Sequence, residues 1–278
     1  MNDILKNSRF QLLEPLPTGM QPFGRVTHPL KCLIFDIYGT LLISGSGDVG
    51  TTMQTIRNDE RLKQLLLEYN IYRPLGEVLN DFFDAIAEQH SLLKAIGIDY
   101  PEIKIDHIWM QVLKWHCVDT ARCFALAFEL IANPVYPMPG LQQLLEKDRE
   151  DCILGMISNA QFYTPMLFER FFNASLEEFG FEKDLLIFSY QTEYAKPSEH
   201  IFTLAKNRLE RRGIDPDKTL YVGNDMLNDI LPAKNIGFKT ALFAGDRRSL
   251  RLREDDARCQ GVKPDIVITE LSQLMEYL

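Results

Sequence analysis

Hydrophobic and polar positions fall into three regimes along the chain. Through residues 1–30 no period is sustained, and Pro15, Pro17, Pro22 and Pro29 interrupt the apolar positions, so an irregular extension is expected there. At about residue 31 the run Cys32-Leu33-Ile34-Phe35 reads as a buried strand. It is followed by "ISGSGDVG", residues 43–50, a glycine-rich stretch without helical or strand period that reads as a hinge. No Gly-Lys-Ser/Thr follows it, so it is not a Walker-type phosphate loop.

The second regime, residues 51–133, is helical in texture. "TTMQTIRNDERLKQLLLEYN", "GEVLNDFFDAIAEQHSLLKAIG" and "DHIWMQVLKWHCVDTARCFALAFELIAN" repeat apolar residues at helical spacing and predict roughly four helices. "PVYPMPG", residues 134–140, ends that block.

In the third regime strands and helices alternate. "CILGMIS" (152–158), "DLLIFS" (184–189), "TLYVG" (219–223), "KTALFAG" (239–245) and "DIVI" (265–268) are short apolar runs. Between them lie helical patterns over 161–172, over "SEHIFTLAKNRLERRG" closed by Gly213, and over 228–236, with a terminal helix after the last strand. Continuous apolar strands separated by helices predict a parallel sheet covered on both faces. The expected architecture is a doubly wound, Rossmann-like α/β core, residues 31–43 and 137–278. An all-helical domain, residues 44–136, interrupts it after the first strand.

Composition narrows the function. At 278 residues the chain can bury a full core, and its 46% apolar and 25% charged residues are ordinary for a globular protein. A net charge of −9 lacks the basic footprint that nucleic-acid binding needs, but leaves room for a small anionic substrate beside a local lysine. The five cysteines are scattered without CxxC spacing, the N-terminus has no signal-peptide layout, and no apolar run approaches a membrane span. Neither membrane nor nucleic acid is an expected partner, and the cytoplasm is the default location.

Ligand crevices of open parallel sheets lie outside the carboxyl ends of the strands. The residues just after each run are therefore the candidate chemistry. Asp36, Tyr38 and Thr40 follow the first strand, and Ser158 and Asn159 follow "CILGMI". Lys196 follows "DLLIFSYQTEYA", and Asn224, Asp225, Asn228 and Asp229 follow "TLYVG". Each alone has an ordinary structural explanation as a cap or turn residue. Their joint placement at one sheet edge does not.

"FDIYGTLL", "GMISNAQ", "YAKPSEHIF" and "YVGNDMLNDI" resemble, in order, the four motifs of the haloacid dehalogenase-like hydrolase superfamily. The helical block sits where that family inserts its cap domain. The resemblance implies that Asp36 attacks the substrate and forms a covalent aspartyl intermediate, which water hydrolyses. It also implies that Thr40, Ser158 and the backbone of Asn159 bind the transferring group, and that Lys196 neutralises developing charge. Mg²⁺ would be held by Asp36, the main-chain carbonyl of Tyr38, Asn224 or Asp225, and Asp229.

The chain departs from the phosphatase pattern at Tyr38, where family phosphatases carry a second aspartate for proton transfer. A phenol with an ordinary pKa of about 10 is a poor base near neutrality. Asp-x-Tyr-Gly-Thr is similar to the 2-haloacid dehalogenases, whose halide leaving group needs no proton. Those enzymes carry a tyrosine where this chain has Phe202, and an early cap arginine for which Arg57 and Arg61 are loose candidates. The leading expectation is a Mg²⁺-dependent phosphatase of small monoesters. The alternatives are a 2-haloacid dehalogenase and a degenerate binder of a small anion or a protein. His90, His107, His116 and Lys114 are cap candidates for the missing acid–base group, while "RRSLRLRED" (247–255) reads as a solvated loop.

Overall fold

The computed structural model describes residues 1–7, 10–27, 29–46, 56–149 and 151–278. The hinge stretch 43–50 is therefore described only as far as Ser46; its remainder, with residues 51–55, lies outside the described residues. The described strands are β1 (Cys32–Phe35), β2 (Leu42–Ser44), β3 (Val135–Pro137), β4 (Ile153–Ser158), β5 (Phe181–Phe188), β6 (Thr219–Gly223), β7 (Lys239–Phe243) and β8 (Ile266–Ile268). Six of them form a parallel sheet in the order β5-β4-β1-β6-β7-β8.

β1 lies at the centre because it is apolar on both faces. Leu33 and Phe35 join the hydrophobic cluster on one side of the sheet, while Cys32 and Ile34 join the cluster on the other. All four are fully buried, so a polar substitution on either face would leave an unpaired group in the core. Phe35 pairs with Met156 of β4 and Val222 of β6, which brings the carboxyl ends of three strands level. Since the chain passes from β1 to β4 on one side and returns to β6 on the other, the topological switch point lies there.

The helical block packs as its own cluster. The helices Glu60–Glu68, Leu75–Ala95, Ile105–Leu113 and Val118–Ala132 close around fully buried Trp109. Phe82 stacks on the Trp109 ring at 4.1 Å, and Phe124 and Phe128 meet it at 4.8 and 5.0 Å. The indole is packing, which is why those aromatics recur at helical spacing.

Several elements differ from the sequence expectation. Residues 1–30 are not irregular throughout: Asn2–Asn7 form a helix, with Asp3 in its first turn and Lys6 in its last, as the helix dipole favours. Its Leu5 is buried against the main core. Segment 134–140 is more than a break, because Val135–Pro137 pairs antiparallel with Leu42–Ser44 and ties the two chain crossings together. β5 starts at Phe181, before the charged Lys183 and Asp184 that hide its first half from a hydrophobicity reading. The helix expected over 228–236 begins as a π-turn, Met226–Ile230, and the C-terminal helix is a 3₁₀ segment, Leu271–Tyr277.

Candidate active site

Asp36 extends the β1 ladder by one bond, its N–H donating to Val222 O at 2.9 Å, and its side chain emerges at the switch point. Asp36 Oδ1 accepts from Ser158 Oγ at 2.9 Å and from Lys196 Nζ at 2.6 Å. Among the described residues nothing donates to Oδ2. Lys196 Nζ also donates to Asp229 Oδ1 at 2.6 Å, so one ammonium serves two carboxylates in a site where all three residues are buried.

Burial alone would lower the Lys196 pKa, but the charges of Asp229 and Asp36 outweigh it and hold the ammonium above its ordinary range. Asp229 is pushed up to about 6, first by burial and then, against the pull of Lys196, by the charges of Asp36 and Asp225. One cation cannot neutralise two buried carboxylates, and the shortfall falls on Asp229.

Tyr221 was not expected from the sequence. It sits in the middle of β6, and its hydroxyl lies 3.3 Å from Lys196 Nζ, 2.9 Å from Asp229 Oδ1 and 3.1 Å from Ile157 O. Its ring packs on Phe202 at 5.1 Å, so the phenol that Phe202 does not carry reaches Lys196 from the neighbouring strand instead. The only sequence signal was a tyrosine inside an otherwise aliphatic buried run.

The other expected residues serve more varied ends. Asn159 grips the Lys196 backbone, accepting its N–H at 2.7 Å and donating to its carbonyl at 3.3 Å, which sets where the lysine starts. Thr40 Oγ1 donates to Asn224 Oδ1 at 3.1 Å, and Asn224 Nδ2 donates to Ser249 O at 2.6 Å. Gly39 makes this closeness possible: at φ 85° a Cβ there would stand 2.4 Å from Ser249 Cβ and 2.8 Å from Asn224 Nδ2. Tyr38 turns its hydroxyl to Thr164 Oγ1 at 2.9 Å. Burial, then the charge of Glu129, pushes its pKa far above that of an ordinary phenol, so it is no base.

The loop over 247–255, expected to be solvated, folds over the fourth motif. Met226 N donates to Arg251 O and Arg251 N to Asn224 O, both at 2.9 Å. Arg253 clamps Asp225 with two bonds, at 3.1 and 2.6 Å. Arg57 and Arg61 are engaged elsewhere, with Asn80 and Asp59. The candidate cap groups His107, His116 and Lys114 are exposed, and His90 lies on the helix Leu75–Ala95.

These bonds decide which oxygens remain for a metal ion. Asp225 accepts from Leu227 N, Asn228 and Arg253 and is spent. Asp229 Oδ1 is spent on Lys196 and Tyr221, but Oδ2 accepts only the N–H of Asp225 at 2.9 Å and keeps a lone pair. Asn224 keeps a lone pair on Oδ1, and Asp36 keeps Oδ2. With the Tyr38 carbonyl and Asp229 Oδ2 these are four hard oxygens, two of them from carboxylates. Magnesium is commonly bound by one or two carboxylates plus substrate phosphate, so the donors fit it without Asp225.

A sheet with its switch point at a buried aspartate, faced by a serine and a lysine from the two following motifs, is the arrangement of an α/β hydrolase. The haloacid dehalogenase-like hydrolase model matches residues 30–237, more than half of the chain, and the protein belongs to that family. It shares 32% identity over 103 residues with the Drosophila melanogaster rhythmically expressed gene 2 protein, a match spanning 37% of each chain. Over 231 residues it is 26% identical to the glyceraldehyde 3-phosphate phosphatase of Methanopyrus kandleri, covering 82% of this chain and 90% of that one. Among solved structures it is similar to a 2-haloacid dehalogenase from Pseudomonas syringae pv. Tomato DC3000, with a TM-score of 0.56 and 20% identity over 89% of this chain and 97% of the other. No helix among the described residues is long and apolar enough to cross a membrane.

Proposed function

We propose that the protein hydrolyses a small phosphate monoester through a covalent intermediate on Asp36. The observation that carries this is the orientation of Asp36: Ser158 and Lys196 both hold Oδ1, leaving Oδ2 to attack. Attack forms an Asp36–phosphorus bond and breaks the bond to the ester oxygen, which leaves with a proton. Water then attacks the acyl phosphate, releasing inorganic phosphate and restoring the carboxylate. Lys196, charged throughout, offsets negative charge on the transferring group, and Ser158 Oγ orients it. A magnesium ion held by the Tyr38 carbonyl, Asn224 and Asp229 beside the Asp36 carboxylate would supply further charge neutralisation. The phosphatase relative, matched over most of its length, supports the same substrate class.

A second reading, 2-haloacid dehalogenation, has one observation in its favour: the Tyr221 hydroxyl beside Lys196, where a polar group could receive a departing halide or a carboxylate. The test is release of phosphate from a panel of alkyl and aryl monoesters, with and without magnesium, beside halide release from 2-haloacids. Phosphate release lost in Asp36→Asn is the expected result. Halide release without phosphate release would replace the reading. No turnover of either, with measurable anion affinity, would make the protein a binder.

A further inference from the structure

The phosphate monoester reading leaves the proton of the departing oxygen unassigned, because Tyr38 stands where the family's second aspartate would be. The helix Val118–Ala132 presents two faces. Phe124 and Phe128 are buried inside the helical block, whereas Leu126 is buried in the main core beneath the sheet edge. Residues 122, 126, 129 and 133 recur at steps of three and four and share that second face. Its two ends are pinned. The Arg122 guanidinium lies over the Phe162 ring at 5.4 Å, and Asn133 Oδ1 accepts from Ser44 Oγ at 2.8 Å.

Between those pins lies Glu129. Its Oε1 accepts from Asn133 Nδ2 at 3.1 Å, and the Tyr163 hydroxyl also hydrogen-bonds its carboxyl. Tyr163 precedes Thr164, the partner of the Tyr38 hydroxyl at 2.9 Å. The loop after β4, the residue displacing the usual acid, and a carboxyl from the opposite domain thus converge in one cluster. Two other cap-side carboxylates are already engaged: Asp106 accepts from Arg122 Nε at 2.8 Å, and Glu102 is taken by Ser189 Oγ, Gln161 Nε2 and the Ile103 N–H at 2.7, 3.3 and 2.9 Å, as a clasp between the two domains.

We propose that Glu129, on the last helix of the insertion, is the acid–base residue of this site and protonates the leaving oxygen in place of the aspartate that Tyr38 replaces. As the phosphorus–oxygen bond breaks, the Glu129 carboxyl gives its proton to the departing alkoxide. The resulting carboxylate takes a proton from the water that attacks the aspartyl intermediate, which returns Glu129 to its acid form. Burial holds the Glu129 carboxyl above the ordinary range, against the hydrogen bonds of Asn133 and Tyr163, which favours that acid form.

The experiment compares wild type and Glu129→Gln on p-nitrophenyl phosphate, whose leaving group departs as a stable anion, and on glycerol 3-phosphate, whose alkoxide needs a proton. Loss of a general acid should lower kcat on the alkyl ester by about 10²- to 10⁴-fold and leave the aryl ester within a few-fold. Adding Tyr38→Asp to Glu129→Gln should restore alkyl turnover. If Glu129→Gln fails to fold, Glu129→Asp should show the same selectivity in weaker form. Equal losses on both esters, or an undiminished alkyl rate, would overturn the assignment while leaving the phosphatase reading intact. Turnover of neither ester by wild type would overturn both.

Discussion

Replacing Lys196 with methionine removes the ammonium but keeps a stem of similar length, so the structure prices the charge and not the packing. The ammonium bonds Asp36 and Asp229 at 2.6 Å each, and Lys196 is 6% exposed. Removing one partner of a buried ion pair costs about 3–5 kcal/mol, and here two carboxylates lose the same cation. The upper part of that range is expected near neutral pH, a large share of the roughly 5–15 kcal/mol that holds a folded protein together. The sign of the pH dependence follows from Asp229. Its folded pKa is already raised, to about 6, from 3.8, so the folded state keeps a proton that the unfolded chain releases, and stability falls as pH rises through that window. Without Lys196 the pull that lowers it is gone, the folded pKa moves higher, and the window widens upward. Between about pH 7.5 and about pH 5.5 the variant should regain up to ~2 kcal/mol relative to wild type, since one proton over two pH units is worth about 2.7 kcal/mol and wild type itself gains about 0.7 kcal/mol below pH 6. Urea denaturation of both proteins at the two pH values reads this directly. A deficit under about 1 kcal/mol, or one equal at both pH values, would refute the idea that the Lys196 ammonium is what keeps the two carboxylates charged together.

Two further substitutions probe the support of the site and the independence of the helical block. Gly223→Ala would place a Cβ 2.4 Å from Asp229 Cγ and 2.6 Å from Oδ2, and the short side chain of Asp229 cannot retreat without leaving Lys196, Tyr221 and the Asp225 N–H. A loss of about 1–3 kcal/mol in thermal unfolding, together with a fall in turnover, is expected, and wild-type melting with wild-type turnover would contradict it. Trp109→Ala should cost about 3–5 kcal/mol in denaturant unfolding, since the fully buried indole stacks on Phe82 and meets Phe124 and Phe128. A cost below about 1 kcal/mol would mean that the aromatic cluster is not the core of the insertion.

The sheet was legible because parallel strands covered on both faces must be apolar at every position. β1, β4 and β6 therefore announce themselves as uninterrupted runs, and each ends where a polar residue begins. The placement of Asp36, Ser158 and Lys196 was legible for the same reason, since a crevice beyond the strand ends can be filled only by the residues that come next. β5 was half hidden because its outer positions, Lys183 and Asp184, face solvent at a sheet edge. β3 was hidden because a three-residue strand holding a proline carries too little pattern to distinguish it from a turn.

What could not be read was every relation set by distance in sequence. Asp225 looked like a candidate metal ligand as long as Arg253 was an anonymous member of a basic run. Only the fold brings that guanidinium back across 28 residues and puts a hydrogen bond from it on each carboxylate oxygen. The same logic governs Tyr38 and Glu129. A phosphatase that loses its acid at one position needs another proton donor in the same space, and nothing in a local motif says from where. In a two-domain site that replacement can come from the far side of the crevice. Such a carboxyl is recognised by its position on a helix face turned toward the other domain, not by the residues beside it in sequence. That Glu129 lies on the one stripe of its helix that leaves the insertion's own core, between an arginine that packs on Phe162 of the other domain and an asparagine tied to Ser44 of β2, is the form such a replacement would take.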